Sequence, residues 1–255
     1  MATKIKFLYD NLLDDATLTA SGADADYPVA NLKDPLRTKV FKPDAATWNL
    51  VINHGAATAV SAVAIVNQNW TSAPSTLDFE MHTADSWGTP DATEALTWTA
   101  DPDTNLNPSI IIKAFTSTSK QYNRLNVVHA TVTPEIGRIF VGTYFAPASN
   151  YLIGWDQGIE DISLITSTPD GYEHSDIRGI RRTFNGVKFQ IKTSSYSDIQ
   201  AFQKMFRTVG FNKDLIIAFN YDSYPNELTL YGKFTDFSIE REYYYNVEFS
   251  FKESL

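Results

Sequence analysis

Four histidines, five tryptophans, thirty carboxylates and no cysteine bound the chemistry open to this chain. Without a thiol there is no disulfide, thiolate metal site or cysteine nucleophile, and a β-rich chain lacking disulfides fits synthesis in a reducing cytoplasm. His54, His82, His129 and His174 stand far apart, with no His-x-x-x-His pair to chelate zinc from one helix face. Glu80 and His82 share a face if their segment is a strand, which reads as a surface pair or as two ligands of a metal. Asp101-x-Asp103-x-Asn105-x-Asn107 begins like a calcium loop, in which alternate oxygens converge on a hard cation. Leu106 then stands where an EF-hand needs Gly, and Ile112 where it needs a bidentate Glu. The stretch therefore reads as an Asp/Asn-rich turn, and any calcium there as structural. Gly-x-Ser-x-Gly, the Walker phosphate loop and the dinucleotide glycine fingerprint are absent. The expectation is a protein that is not an enzyme, with no catalytic residue, no cofactor and no metal.

The residues left to carry function are those that make contacts. Trp70, Trp87 and Trp98 lie in or beside loop-like segments. Exposed, an indole stacks on the apolar face of a sugar or on a partner; buried, it fills a core. Arg178, Arg181 and Arg182 cluster ahead of a strand, where they line a subunit contact or decorate a solvated turn. Net charge is −9, with 10 basic against 15 acidic residues up to position 145 and 11 against 15 beyond it. Both halves have the wrong sign for a reader of nucleic acid that works by neutralising phosphates.

These residues must be positioned by strands. Aromatic residues make up 13% of the chain, and short apolar runs cut by Pro, Asp, Asn and Gly recur from the N-terminus to about Phe145. Ile5–Tyr9, Trp48–Ile52, Ala62–Val66, Leu77–Met81, Ile110–Ile112, Leu125–Val128 and Ile139–Val141 are the predicted strands, a pattern that suggests a sandwich or jelly roll. Ala146-Pro-Ala-Ser-Asn150 marks the domain boundary, dividing 1–145 from 146–255. In the second part Val187, Phe189 and Ile191 alternate with polar residues. Ser197-Asp-Ile-Gln200 offers a capping box, Ile199, Phe202, Phe206 and Val209 follow at helical spacing, and Gly210 is the stop. Leu215–Phe219, Leu228–Phe234 and Phe237–Ile239 read as strands after this helix of about 197–209. Tyr243, Tyr245, Val247, Phe249 and Phe251 then share one face of a closing strand, with Tyr244 on the other. The fold class expected is mainly β: a jelly roll, then a β-sandwich or curved sheet with one packed helix. The first ten residues lack the apolar stretch of a signal peptide, and no run is long enough to span a bilayer, so a soluble protein is expected.

Tyr27-Pro-Val-Ala-Asn-Leu-Lys-Asp34, Trp48 leading into a strand, and Tyr122-Asn-Arg-Leu-Asn-Val127 resemble the discoidin-like, galactose-binding-type jelly roll. In that family the Tyr-Pro-x-x-Asn-Leu segment is a short structural turn after the first strand. The same opening, with Ile136-Gly-Arg-Ile-Phe-Val-Gly142 and Asn150-Tyr-Leu-Ile-Gly-Trp155, also resembles bacteriophage virion proteins encoded among tail genes. A strand, an amphipathic helix, further strands and the terminal Tyr245–Glu253 strand are similar to domains of phage tail tube, distal tail and baseplate hub proteins. The resemblance implies a structural subunit of a phage tail. It would be made in the bacterial host cytoplasm, sit in the virion tail, form a ring with its own copies, and link the tube to hub or fibre proteins. The alternative it implies is a tail-borne carbohydrate-binding module that touches a host-surface glycan. Trp70, Trp87 and Trp98 are the candidate contacts for glycan or partner. Arg178, Arg181, Arg182, Arg241 and Tyr244 are the candidate ring interface, expected on one shared surface, with Tyr244 otherwise merely a large surface residue.

Overall fold

The computed structural model describes residues 4–36, 38–99, 110–129, 133–167, 169–170, 172–192, 195–223 and 228–254. The chain is mainly β, with one α-helix among the described residues. It runs through β1 (Lys6–Leu8), β2 (Thr17–Ala20), β3 (Thr47–Gln68), β4 (Thr76–His82) and β5 (Ala92–Ala95). Then come β6 (Ile111–Val128), β7 (Ile136–Gly142), β8 (Tyr144–Phe145), β9 (Asp156–Asp161), β10 (Leu164–Ser167) and β11 (Glu173–Asp176). β12 (Ile180–Ile191), α1 (Tyr196–Val209), β13 (Leu215–Ala218), β14 (Thr229–Arg241) and β15 (Tyr245–Glu253) complete it. No helix among the described residues is long and apolar enough to cross a membrane.

Two compact units result: one of Thr3–Ala146 with Leu215–Leu230, the other of Pro147–Asp214 with Tyr231–Leu255. The structure departs from a plain division into 1–145 and 146–255 at Leu215–Leu230. The reason is strand pairing: β13 runs antiparallel to β1, with Phe7 opposite Ile217, so a segment distant in sequence completes the first unit.

The first unit holds an antiparallel sheet ordered β2-β3-β6-β4-β5, with β7 also paired to β3. Its core gathers Trp48, Leu50 and Ile52 of β3, Leu77, Phe79 and Met81 of β4, and Leu125 and Val127 of β6. The expected strands Trp48–Ile52 and Ala62–Val66 are one strand, and so are Ile110–Ile112 and Leu125–Val128. Register shifts between Asn53 and Thr58, and between Val60 and Ala62, bend the β3–β6 ribbon. At the bend Gly55, with φ of +76°, and Ala56–Ala57 are exposed, which is why the apolar pattern looks interrupted. The Tyr27-Pro-Val-Ala-Asn-Leu segment is a structural turn, as its resemblance implied, but it follows the second strand rather than the first. Val29–Lys33 forms a 3-10 turn that buries Leu32, and Asn31 Nδ2 donates to the Val40 carbonyl at 2.8 Å.

In the second unit the strand order is β14-β15-β12-β9. Phe184, Phe189, Val247, Phe249 and Phe251 are buried on its core face, and α1 adds Ile199, Phe202, Met205 and Val209. Phe206 of α1 stacks on Phe237 at 4.3 Å and 5°. That contact depends on a bulge between Phe234 and Asp236, whose extra residue returns Phe237 to the helix side. The same bulge broke the period-two pattern and made one strand, β14, read as two. Gly210 ends α1 with φ of +53° and donates its N–H to the Phe206 carbonyl. The capping box is corrected: Ser195 is the N-cap without a side-chain bond, and Ser197 already lies inside the helix. Tyr243 is corrected too. It is 83% exposed in the turn joining β14 to β15, because Arg241 pairs with Tyr245 and leaves only three residues to reverse the chain.

Candidate functional site

Chemistry-bearing side chains converge on the outward face of the β3-β6-β4 sheet. Strand alternation sends Leu125, Phe79 and Met81 into the core, so Arg124, Glu80 and His82 must point the other way. The register then aligns them in rows: Val51, Arg124, Glu80 and Thr93 across four strands, and Asn53, Tyr122 and His82 across three. Arg124 Nη2 reaches Glu80 Oε2 at 2.5 Å, with the two side chains 16% and 9% exposed. The β4–β5 connection folds Trp87 over this pair, with the Arg124 guanidinium 4.7 Å from its ring. The Trp87 indole N–H donates to Asp85 Oδ1 at 2.7 Å, and the ring stays half-exposed.

Asp91, at the far end of the same connection, closes the site. Its carboxylate accepts from Lys120 Nζ at 2.7 Å and from the Thr83 N–H at 3.1 Å. The Lys120 hydrogen bond above all holds the Asp91 carboxyl below the usual carboxylate range, aided by the Thr83 N–H and the Lys120 charge. His82 Nε2 lies 3.7 Å from Asp91 Oδ1, and its ring meets Trp87 edge-on at 6.3 Å. Glu80 and His82 do share a face, but Arg124 engages the one and Asp91 the other. No cluster of metal-ligating side chains occurs among the described residues. Asp101–Asn107 lies outside them. The arrangement is a half-exposed indole plate, backed by a cation and ringed by fixed donors and acceptors.

The other tryptophans divide differently. Trp70 is corrected to a core residue, 5% exposed, because Gln68 Oε1 accepts its backbone N–H and turns the ring under the sheet. Trp98 is half-buried against the same core, so of the three only Trp87 sits within a polar constellation. Sequence reading missed Arg124, Asp91 and Lys120 as members. The period of β6 marks Arg124 as outward, but only the register reveals Glu80 opposite it.

The arginines separate by strand parity. Arg182 is corrected from surface to interior: it is 6% exposed and its guanidinium pairs with Glu253 at 3.2 Å. Its neighbour Arg181 faces outward and bonds Glu160 of β9 at 2.7 Å, which pulls the Glu160 carboxyl down. Arg178 is exposed and pairs with Asp176 at 2.9 Å. Arg241 lies 5.7 Å over the Tyr245 ring, and half-buried Tyr244 meets Tyr243 edge-on at 4.9 Å. The shared surface expected for these residues is corrected as well. Tyr245 pairs with Ile191 at one end of β12 while Arg181 and Arg182 sit at the other, about 30 Å away at ~3.3 Å per residue.

No protein family and no curated protein matches the sequence. Among solved structures, the chain is similar to a chitosan-binding module of a chitosanase/glucanase from Paenibacillus sp. IK-5. That match has 22% identity over 52% of this chain and 99% of that one, at a TM-score of 0.40. A Streptococcus pneumoniae fucose binding module gives 13% identity, 52% and 95% coverage and a TM-score of 0.41. A Clostridium perfringens module in complex with GalNAc-β-1,3-galactose gives 10%, 52%, 100% and 0.39.

Proposed function

We propose that the first unit is a carbohydrate-binding module and that Trp87 is its stacking platform. The observation that carries this is the Trp87 ring itself: half-exposed, fixed through its N–H to Asp85, and backed by an Arg124 that is ion-paired to Glu80. A sugar offers one apolar face and a rim of hydroxyls, which calls for a rigid aromatic plate beside donors and acceptors held in place. The role is binding rather than catalysis. Glycan-array screening of the full chain should give saturable ligands, and Trp87→Ala should lose at least tenfold in affinity with the melting temperature of the first unit little changed. An array without hits would refute the reading.

A second reading, a ring-forming subunit of a phage tail made in the host cytoplasm and joining tube, hub or fibre proteins, is favoured by a feature of the second unit. Ile153, Ile159, Leu164, Ile165, Tyr172, Ile177 and Ile180 are all exposed, at 102% for Ile153 and 84% for Ile177. So much apolar surface on a short stretch is typical of a face that another protein covers. The β10–β11 hairpin, with every residue of its two strands exposed, is also too small to be stable alone in water. Sedimentation of the full chain at rising concentration, with placement of the chain in a particle reconstruction, tests this; a strict monomer absent from any virion would exclude it.

A further inference from the structure

We propose that His82 is a positioning residue that holds the Trp87 loop in place only while its imidazole is neutral. His82 Nδ1 accepts the Ala84 N–H at 2.8 Å, which requires the ring proton to be on Nε2, the nitrogen facing Asp91 Oδ1. The ring thus bridges both ends of the connection, Ala84 at its start and Asp91 at its close, with Trp87 against its edge between them. A second proton must go to Nδ1, which then has no lone pair for Ala84. Two N–H groups would face each other at hydrogen-bond distance, and the first turn of the loop must let go. The imidazolium gains attraction to Asp91, but that carboxylate already serves Lys120 and Thr83. The other groups around the ring are Tyr122, its register partner on β6, Arg124 and Glu80, which are bound to each other, and Asp85, which holds the Trp87 N–H. None of them is placed to accept the Ala84 N–H in its stead.

The inference rests on the carbohydrate reading for its purpose, though not for its chemistry, and the experiment separates the two. Imidazole titrates between about pH 5 and 8. Across that range, ¹H–¹⁵N spectra of the full chain should show the Ala84 amide and the Trp87 indole N–H moving together with the His82 ring. In His82→Asn the side-chain oxygen takes the place of Nδ1 and accepts the Ala84 N–H at every pH, so both signals should stay at their neutral positions. In His82→Ala both should sit at the acid positions throughout. Affinity for the tightest-binding glycan of the array should fall at least tenfold from about pH 7.5 to about pH 5 in the unaltered chain and stay constant in His82→Asn. An Ala84 amide that does not move while His82 titrates overturns the proposal whatever the sugar does. A moving amide with no glycan of the array bound at either pH upholds the switch and removes the carbohydrate reading it serves.

Discussion

Replacing Arg124 by Met tests what anchors the Trp87 platform to the sheet. Arg124 Nε and Nη2 both reach Glu80 Oε2 at 2.5 Å, with the Glu80 side chain 9% exposed and Arg124 16%. Met keeps most of the stem and removes the cation, so the Glu80 carboxylate is stranded in a site that water barely reaches. Breaking a buried pair from one side costs about 3–5 kcal/mol, and the partial exposure of Arg124 sets this pair near about 3. The guanidinium lost from the Trp87 ring adds about 0.5–1 kcal/mol. Arg124→Met should therefore destabilise the first unit by about 3.5 kcal/mol. Adding Glu80→Gln removes the stranded charge and should return about 2 kcal/mol. Urea unfolding followed by tryptophan fluorescence reads mainly the first unit, because Trp48, Trp70, Trp87 and Trp98 belong to it and Trp155 alone to the second; a Trp155→Phe background removes that contribution. A loss below about 1 kcal/mol, or a double variant no more stable than the single, would refute the argument that the pair is held away from solvent.

The two tryptophans that looked alike in sequence should part in the same assay. Trp70→Ala should cost about 3–5 kcal/mol by emptying a core site, whereas Trp87→Ala should cost far less and act on ligand binding. Gly210→Ala should lower the stability of the second unit by about 1 kcal/mol, because a Cβ is strained at a φ of +53°; no change in its thermal transition would contradict this. Asp91 has a folded-state pKa below its unfolded one, so its contribution is present above the unfolded carboxylate value and is lost as pH falls through the folded one. Asp91→Asn should accordingly flatten the acid limb of the melting-temperature profile of the first unit. Gly232→Ala should be poorly tolerated, since its Cβ would lie 2.0 Å from the Lys252 carbonyl oxygen; a well-folded variant at yields like the parent's would count against it.

Sequence alone determined what local physics can decide. Period-two alternation marked Val247, Phe249 and Phe251 as a core face, and helical spacing with a stop glycine placed α1 to within a residue or two. It also showed that Glu80 and His82 share a face. Tertiary structure decided everything that depends on which strand lies beside which. A bulge adds one residue and resets the alternation, so the bends of β3 and β14 looked like chain breaks although their ladders continue. Parity along β12 separates Arg181 from Arg182, but the depth of each required Glu160 and Glu253, 21 and 71 residues away, to be brought alongside. The weak strands β9, β10 and β11 carried no apolar alternation to read, because their residues are almost all exposed. The candidate site is the fullest case. Trp87, Arg124, Glu80, His82, Asp91 and Lys120 span 45 positions, and each is unremarkable in its own segment. Only the antiparallel register of β4 on β6 puts their charges within hydrogen-bonding distance, because pairing energy is spent between strands and leaves no trace along one of them.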